Sequence, residues 1–141
     1  MRSTFCTRFQ QLDALCITGA VFSGKGEGAK YVGLLWVEEQ IIRKLGFVPY
    51  VGTLNIRLTE DDAKRLANVL EKAKAIEISP VAGFRRGKCY RASLADGIGG
   101  AIVIPDATDH PKDVLEIVAP VNLRDRFHLG DGDLLDIRFR L

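Results

Sequence analysis

Short segments in which apolar and polar residues alternate, separated by turn residues, constrain the fold of this chain most. Between Gly52 and Leu58, apolar residues at every second position alternate with polar ones, as in a strand with one buried face. The segment from Leu135 to Leu141 alternates in the same way. Further strands are predicted at residues 15–22, 75–78, 89–94, 99–104 and 114–118. Many short strands with few helices favour a mainly β fold, a β-barrel with inserted helices.

Two longer segments and one short one predict helices. Residues 36–45 place apolar side chains four apart on one face, and Gly46 follows as a cap. Thr59 is the expected N-cap of the second helix, with acidic residues in its first turn. Residues 122–127 predict a short third helix. Residues 83–88, which include Arg85, Arg86 and Lys88, read as a basic hairpin tip.

Length and composition indicate one globular domain of 141 residues, with residues 1–12 as an N-terminal tail and 13–141 as the domain. A net charge of +2 is too small to indicate a nucleic-acid binder. Three cysteines without a C-x-x-C pair argue against a disulfide framework and a zinc site, and fit a reducing cytoplasm. The first residues have no signal-peptide core, and no apolar run approaches the length of a membrane span.

A glycine-rich octet, residues 23–30, directly follows the first predicted strand. Gly24, Gly26 and Gly28 leave the main chain bare, while Lys25 and Lys30 add positive charge, so the loop suits phosphate oxygens. A mobile glycine hairpin explains the same residues. The octet is neither a P-loop, because the residue after Lys25 has no hydroxyl and no clear helix is predicted to follow, nor a dinucleotide fingerprint, because the glycine spacing differs.

Five segments, in this order, resemble one known family from about residue 17 onward. They read VFSGKGEG at 21–28, LGFVPYVGTLN at 45–55, GAIVIP at 100–105, LEIVAP at 115–120 and LRDRFHLGDGD at 123–133. Together they look like the archaeal CTP-dependent riboflavin kinases. The resemblance implies a six-stranded cradle-loop barrel of the RIFT type. It also implies transfer of the CTP γ-phosphate to the ribityl 5′-hydroxyl of riboflavin, giving FMN and CDP with a divalent cation, Mg²⁺.

The resemblance also implies site residues. Thr53 and Asn55 correspond to magnesium ligands, and Thr108 and Glu116 to riboflavin contacts, with Glu116 as the candidate catalytic base. The nucleotide-binding positions are Gly24, Lys25, Gly26, Glu27, Gly28, Ala29 and Lys30, and then Val121, Asn122, Leu123 and Arg124. Ala29 departs from an arginine that the family can carry, and Asp109 departs from the family's usual tyrosine.

Several of these residues also have a plainer explanation. Thr53 and Asn55 share one strand face, where alternation alone predicts polar residues. A threonine hydroxyl and an amide oxygen nevertheless suit Mg²⁺, which takes few protein oxygens beside phosphates. Glu116 could be a solvated strand carboxylate, and Arg124 a surface arginine paired with Asp125 or Asp131.

Two other functions fit parts of the sequence. The C-terminal residues 123–141 are similar to AbrB-like DNA-binding regulators, although that interpretation leaves the glycine loop unused. A barrel that binds flavin or nucleotide without catalysis is the other alternative. The kinase interpretation predicts riboflavin and CTP as partners, no nucleic acid or membrane, and a monomer. Some members of the family carry an N-terminal winged-helix domain, and we expect none in this sequence.

Overall fold

A computed structural model describes residues 14–81, 86–94, 97–105 and 110–140. The seven strands are β1 (Ala14–Phe22), β2 (Leu54–Arg57), β3 (Ile76–Ile78), β4 (Gly87–Leu94), β5 (Gly99–Pro105), β6 (Val114–Val118) and β7 (Leu134–Arg140). The four helices are α1 (Glu27–Val32), α2 (Leu35–Leu45), α3 (Glu60–Lys72) and α4 (Leu123–Phe127).

Six of the strands form a closed antiparallel barrel. Around the ring the order is β4-β5-β6-β2-β1-β7, and β3 pairs with the first residues of β4 as a seventh strand. β1 and β7 pair over seven positions, from Ala14 opposite Arg140 to Ala20 opposite Leu134. β7 then closes the ring on β4 by two pairs, one of which joins Leu94 and Ile137. The predicted six-stranded barrel with a few helices is confirmed.

Successive side chains along each strand point alternately into and out of the barrel, and both faces contribute to an apolar layer. The side chains that point into the barrel form its core, and α3 adds Leu66 to them. Isoleucines that lose nearly all exposure there include Ile17, Ile56, Ile102, Ile117 and Ile137. A second layer lies on the outside, where α1 and α2 cover part of the barrel wall. There Val32, Val37 and Ile41 pack against Val103 and Val118.

The predicted helix caps are found in the structure, but one helix was not predicted. Gly46 ends α2 in the left-handed region with φ 87°, and the Thr59 hydroxyl accepts the amide of Asp62 at the start of α3. The expectation that no helix follows the glycine loop is wrong, because α1 starts directly after Gly26, which has φ 78°. Val32 is fully buried at the end of α1, so packing stabilises a six-residue helix that is too short to form by itself.

The cysteines also differ from the expectation. Cys16 is disulfide-bonded, whereas Cys89 is a buried free thiol. An odd cysteine count does not reveal which thiols the fold brings together, so the pattern could not predict this bond. Burial raises the pKa of Cys89 to about 12, which keeps that thiol protonated at neutral pH.

Three sequence predictions fall outside the described residues. They are the N-terminal tail, the first half of the basic tip including Arg85, and the loop that contains Thr108 and Asp109. At the tip, Arg86 and Lys88 are exposed. Within the described ranges, no helix has the length and apolar character needed to cross a membrane.

Candidate active site

Two neighbouring strands bring the predicted metal ligands and Glu116 together on the outer face of the barrel. Asn55 of β2 lies directly opposite Glu116 of β6 in the antiparallel register. Thr53 precedes β2, and its hydroxyl Oγ1 donates to Glu116 Oε2 at 3.4 Å. All three residues are half-buried. Residues from two separate sequence motifs thus form one cluster of oxygen donors.

Gly24 of the glycine loop lies against the Asn55 side chain. A Cβ atom placed on Gly24 would stand 2.6 Å from Asn55 Nδ2 and 2.9 Å from its Cγ, which is closer than such atoms approach. The other strand neighbour of Asn55 is Phe22 of β1, which leads into the loop. Glycine at position 24 therefore lets the loop pass directly over the Asn55 amide.

The glycine loop leaves main-chain donors available beside this cluster. Among the described residues, no acceptor is paired with the backbone N–H groups of Gly24, Lys25 and Gly26. Lys25 and Lys30 are exposed, and Ala29 is half-buried. Glu27 and Gly28 begin α1. Free N–H groups together with two lysines make this loop suitable for an anion.

Arg124 links the start of the glycine loop to the segment around α4. Its Nη2 atom donates to Asp131 Oδ1 at 2.8 Å and lies 3.4 Å from Ser23 Oγ. The Ser23 hydroxyl is 2.9 Å from both Asp131 carboxylate oxygens. Hydrogen bonds from Arg124 and Ser23 lower the pKa of Asp131. The alternative that pairs Arg124 with Asp131 is thus correct, and the same contact places Arg124 beside the loop.

A pocket of about 170 Å³ adjoins Thr53. Its lining includes the whole predicted nucleotide segment, Val121, Asn122, Leu123 and Arg124. Tyr50 also lines it, and the Tyr50 hydroxyl accepts a hydrogen bond of 3.1 Å from Asn122 Nδ2. Sequence reasoning assigned Tyr50 no role, although it lies within the quoted segment 45–55.

The larger cavities lie elsewhere. A groove of about 740 Å³ runs along α3 between Glu60 and Lys112 and includes none of the predicted site residues. We place the site at the smaller pocket because Thr53 and residues 121–124, which the family resemblance predicted, line it and do not line the groove along α3. Thr108 lies outside the described residues, so the riboflavin side is represented by Glu116 alone.

The donor set fits magnesium. Mg²⁺ prefers hard oxygen ligands and is commonly held by one or two protein groups beside phosphates. Thr53 and Asn55 offer a hydroxyl and an amide oxygen, and the Glu116 carboxylate stands next to both. The part of the chain that the structure describes contains no group of three or more His, Cys, Asp or Glu residues that could hold a metal. The phosphate oxygens of a bound nucleotide would therefore supply much of the negative charge that balances a magnesium ion here.

Comparison with known proteins identifies one family. Residues 21–139 match the family model named CTP-dep_RFKase, whose description reads "Domain of unknown function DUF120". A riboflavin kinase of Pyrobaculum aerophilum is 38% identical over 95% of the chain and 65% of its own length. One of Methanosarcina acetivorans is 39% identical over 91% of the chain and 55% of its own length.

A third relative, the riboflavin kinase of Pyrobaculum calidifontis, is 40% identical over 95% of the chain and 64% of its own length. The chain thus spans somewhat over half of the length of these curated relatives. The match of the family model covers most of the barrel and includes the glycine loop, Asn55, Glu116 and Arg124. The chain belongs to the CTP-dependent riboflavin kinase family.

Proposed function

We propose that this chain phosphorylates riboflavin, transferring the γ-phosphate of CTP to the ribityl 5′-hydroxyl and giving FMN and CDP. The family and the names of the relatives support this reaction. The observation that carries it is the register pair of Asn55 and Glu116 under Gly24. It supports the proposal because the Asn55 amide, the Glu116 carboxylate and the glycine loop lie in one cluster, and phosphoryl transfer depends on such positioning.

Two uncharged oxygen donors of this cluster would form the metal site. Thr53 and Asn55 would hold Mg²⁺ through a hydroxyl and an amide oxygen. When bound, the ion neutralises charge on the β- and γ-phosphate oxygens. The contact of Gly24 with Asn55 keeps the amide close to the loop, so the loop and the metal ligand are positioned together.

Glu116 contacts the acceptor. Its carboxylate receives a hydrogen bond from Thr53 and can orient the ribityl hydroxyl towards the γ-phosphorus. As the new P–O bond forms and the bond to the β-phosphate oxygen breaks, the hydroxyl proton passes to Glu116 and later to solvent. General-base help of this kind contributes about 10²–10⁴-fold. Thr108 is the second proposed riboflavin contact.

The nucleotide lies along the loop and the α4 segment. The N–H groups of residues 24–26 and the charges of Lys25 and Arg124 face its phosphates. We assign all of residues 24–30 and 121–124 to nucleotide binding. The partners are then small molecules, and we propose a monomer that acts in the cytoplasm without nucleic acid.

One observation favours the kinase over the DNA-binding alternative. β7, the strand that resembles AbrB-like proteins, is hydrogen-bonded to β1 and to β4 within the ring. The strand thus has partners in its own barrel and does not need a hairpin exchanged with another chain. The other alternative, a barrel that binds flavin or nucleotide without catalysis, differs from the kinase in that it forms no FMN.

The test is FMN formation. The purified chain is mixed with riboflavin, Mg²⁺ and either CTP or ATP, and FMN is separated by chromatography. We expect FMN with CTP and much less with ATP. FMN with ATP alone would contradict the donor, and CDP binding without turnover would favour the binding-only barrel. No FMN, together with duplex DNA binding that weakens steeply with salt, would favour the DNA-binding alternative.

A second experiment tests the role of Glu116. Glu116→Gln keeps the size of the side chain and removes its basicity, so we expect kcat to fall by about 10²-fold or more. Glu71→Gln, on an exposed position of α3, is the matched control and keeps full activity. A rise in the riboflavin KM with kcat unchanged would make Glu116 a substrate contact and not a base.

A further inference from the structure

Arg57 is an exposed arginine on the strand face that carries Asn55. It follows Asn55 by two residues in β2, so both side chains leave the barrel on its outer face. Its register partners are Ala20 of β1 and Val114 of β6, the latter two residues before Glu116. Within these three strands, all of which the structure describes, Arg57 is the only cationic residue and Glu116 the only anionic one.

The Arg57 side chain turns towards the polar cluster. Its direct neighbour across β1 is Ala20, but its guanidinium carbon lies 4.5 Å from the centre of the Phe22 ring. Phe22 is the register partner of Asn55, and a long side chain can reach such a diagonal neighbour. The guanidinium group therefore extends along the strands in the direction of Asn55 and of the glycine loop that follows Phe22.

The contact with Phe22 positions the guanidinium group without using its donors. An arginine stacks on an aromatic ring through its flat face, whereas its N–H groups lie in the guanidinium plane and point outwards. Between Arg57 and the other residues that the structure describes, there is no hydrogen bond or ion pair. Arg124, in contrast, is paired with Asp131. The N–H groups of Arg57 are thus available to an anion that enters the cluster.

We infer that Arg57 is a further catalytic residue, which binds the phosphoryl group during transfer and then holds it as the 5′-phosphate of the product. The inference rests on the proposed function. Thr53 precedes Asn55 and lines the nucleotide pocket, whereas Arg57 follows Asn55 and lies on the other side, towards the acceptor. As the phosphorus leaves the β-phosphate oxygen and bonds to the ribityl oxygen, Arg57 donates hydrogen bonds to the phosphoryl oxygens and forms no covalent bond.

The charges of the cluster explain why a cation is needed at this position. Glu116 is an anion beside the place where the phosphoryl group would bond to the ribityl oxygen, and like charges repel. Thr53 and Asn55 are uncharged, while Lys25 and Arg124 belong to the glycine loop and its neighbour on the nucleotide side. A guanidinium group on the acceptor side offsets the negative charge that the phosphoryl oxygens carry in the transition state.

The experiment compares riboflavin and FMN, which differ only by the 5′-phosphate. Binding of each to the intact chain with Mg²⁺ is measured by titration calorimetry. We expect Arg57→Gln to weaken FMN binding by about tenfold or more, the usual effect of removing a charged hydrogen-bond donor, and to leave riboflavin binding unchanged. The affinity for CDP, which lacks the γ-phosphate, should also stay the same and shows that the variant is folded. The kcat for FMN formation should fall by about 10²-fold or more.

Arg43→Gln is the matched control, because Arg43 is an exposed arginine of α2 outside the cluster. Arg57→Lys keeps the positive charge, so it should retain more FMN affinity than Arg57→Gln. Equal FMN affinity in Arg57→Gln and Arg43→Gln would overturn the inference. So would a loss of the same size for riboflavin and FMN, which would place Arg57 against the flavin ring, or for CDP and FMN, which would place it at the nucleotide.

The failure of this inference is distinguishable from that of the proposed function. If the unaltered chain forms FMN and Arg57→Gln behaves as the Arg43→Gln control does, only the role of Arg57 fails. If the unaltered chain forms no FMN and binds neither flavin nor CDP, the proposed function fails with it.

Discussion

The outer face of the barrel has two halves that differ in what covers them. On β6, Val118 is fully buried under α2, whereas Glu116, two residues earlier on the same face, is half-buried in the polar cluster. Where helices cover the wall, the strands carry small and aliphatic side chains. Where only the glycine loop passes over it, they carry oxygen donors. A helix that covers the wall excludes water, and burying a polar side chain there without a partner would be costly. Polar side chains that could bind ligands are therefore found where no helix covers the strands.

A substitution in the half that the helices cover should have the largest effect, and that effect should be on the stability of the fold. Ile41 is fully buried in α2, and Ile41→Ala removes atoms that pack on the barrel wall. We expect the free energy of unfolding in urea to fall by about 2–5 kcal/mol. Ile42→Ala, on the same helix at 40% exposure, is the control and should lose much less. The KM values of the folded protein should not change, and equal losses in both variants would contradict the comparison.

A substitution in the half that only the glycine loop covers should reduce activity and leave the stability of the fold nearly unchanged. Asn55→Ala deletes a proposed magnesium ligand, so FMN formation should fall by about 10²-fold or more. The denaturation midpoint should shift little, because Asn55 is only half-buried. Asn68→Ala, at an exposed position of α3, makes the same substitution away from the site. Full activity in Asn55→Ala would remove the metal assignment.

A double-mutant cycle sharpens the comparison within the open half. Gly24→Ala alone should displace the Asn55 side chain and raise the Mg²⁺ concentration needed for half-maximal turnover. In the Asn55→Ala background the amide is absent, so the same change should have little further effect. Residues in contact typically couple by about 0.5–3 kcal/mol. Additive effects would show that Gly24 acts on the nucleotide and not through Asn55.

The smallest effect is expected at Asp131. Its pKa is lowered by hydrogen bonds from Arg124 and Ser23, so any stability it contributes is present above its unfolded pKa and is lost as pH falls through the lowered value. Asp131 is exposed, so this contribution is small. An NMR titration should find the Asp131 pKa below the ordinary value in the unaltered chain and nearer to it in Arg124→Ala. An unchanged pKa would remove Arg124 as the cause.

Local patterns predicted the elements well because their causes lie within a few residues. Alternation identified β2 and β7, and Gly46 and Thr59 identified two helix ends. The ring order could not be read in this way, since the pairing of β1 with β7 joins segments that no local pattern connects. α1 was missed because packing of Val32 and not helix propensity stabilises it. Family resemblance supplied Thr53, Asn55 and Glu116, and their shared cluster became visible only from the strand register.

The closure of the ring has a consequence for how the chain folds. β1 finds its partner β7 more than a hundred residues later, and the ring is completed by only two residue pairs between β4 and β7. Bringing such distant segments together costs chain entropy before any contact compensates for it. During synthesis, the first strand would leave the ribosome long before its neighbour, with one hydrogen-bonding edge open. We therefore expect slow folding in which docking of β7 is the late step that makes the barrel cooperative.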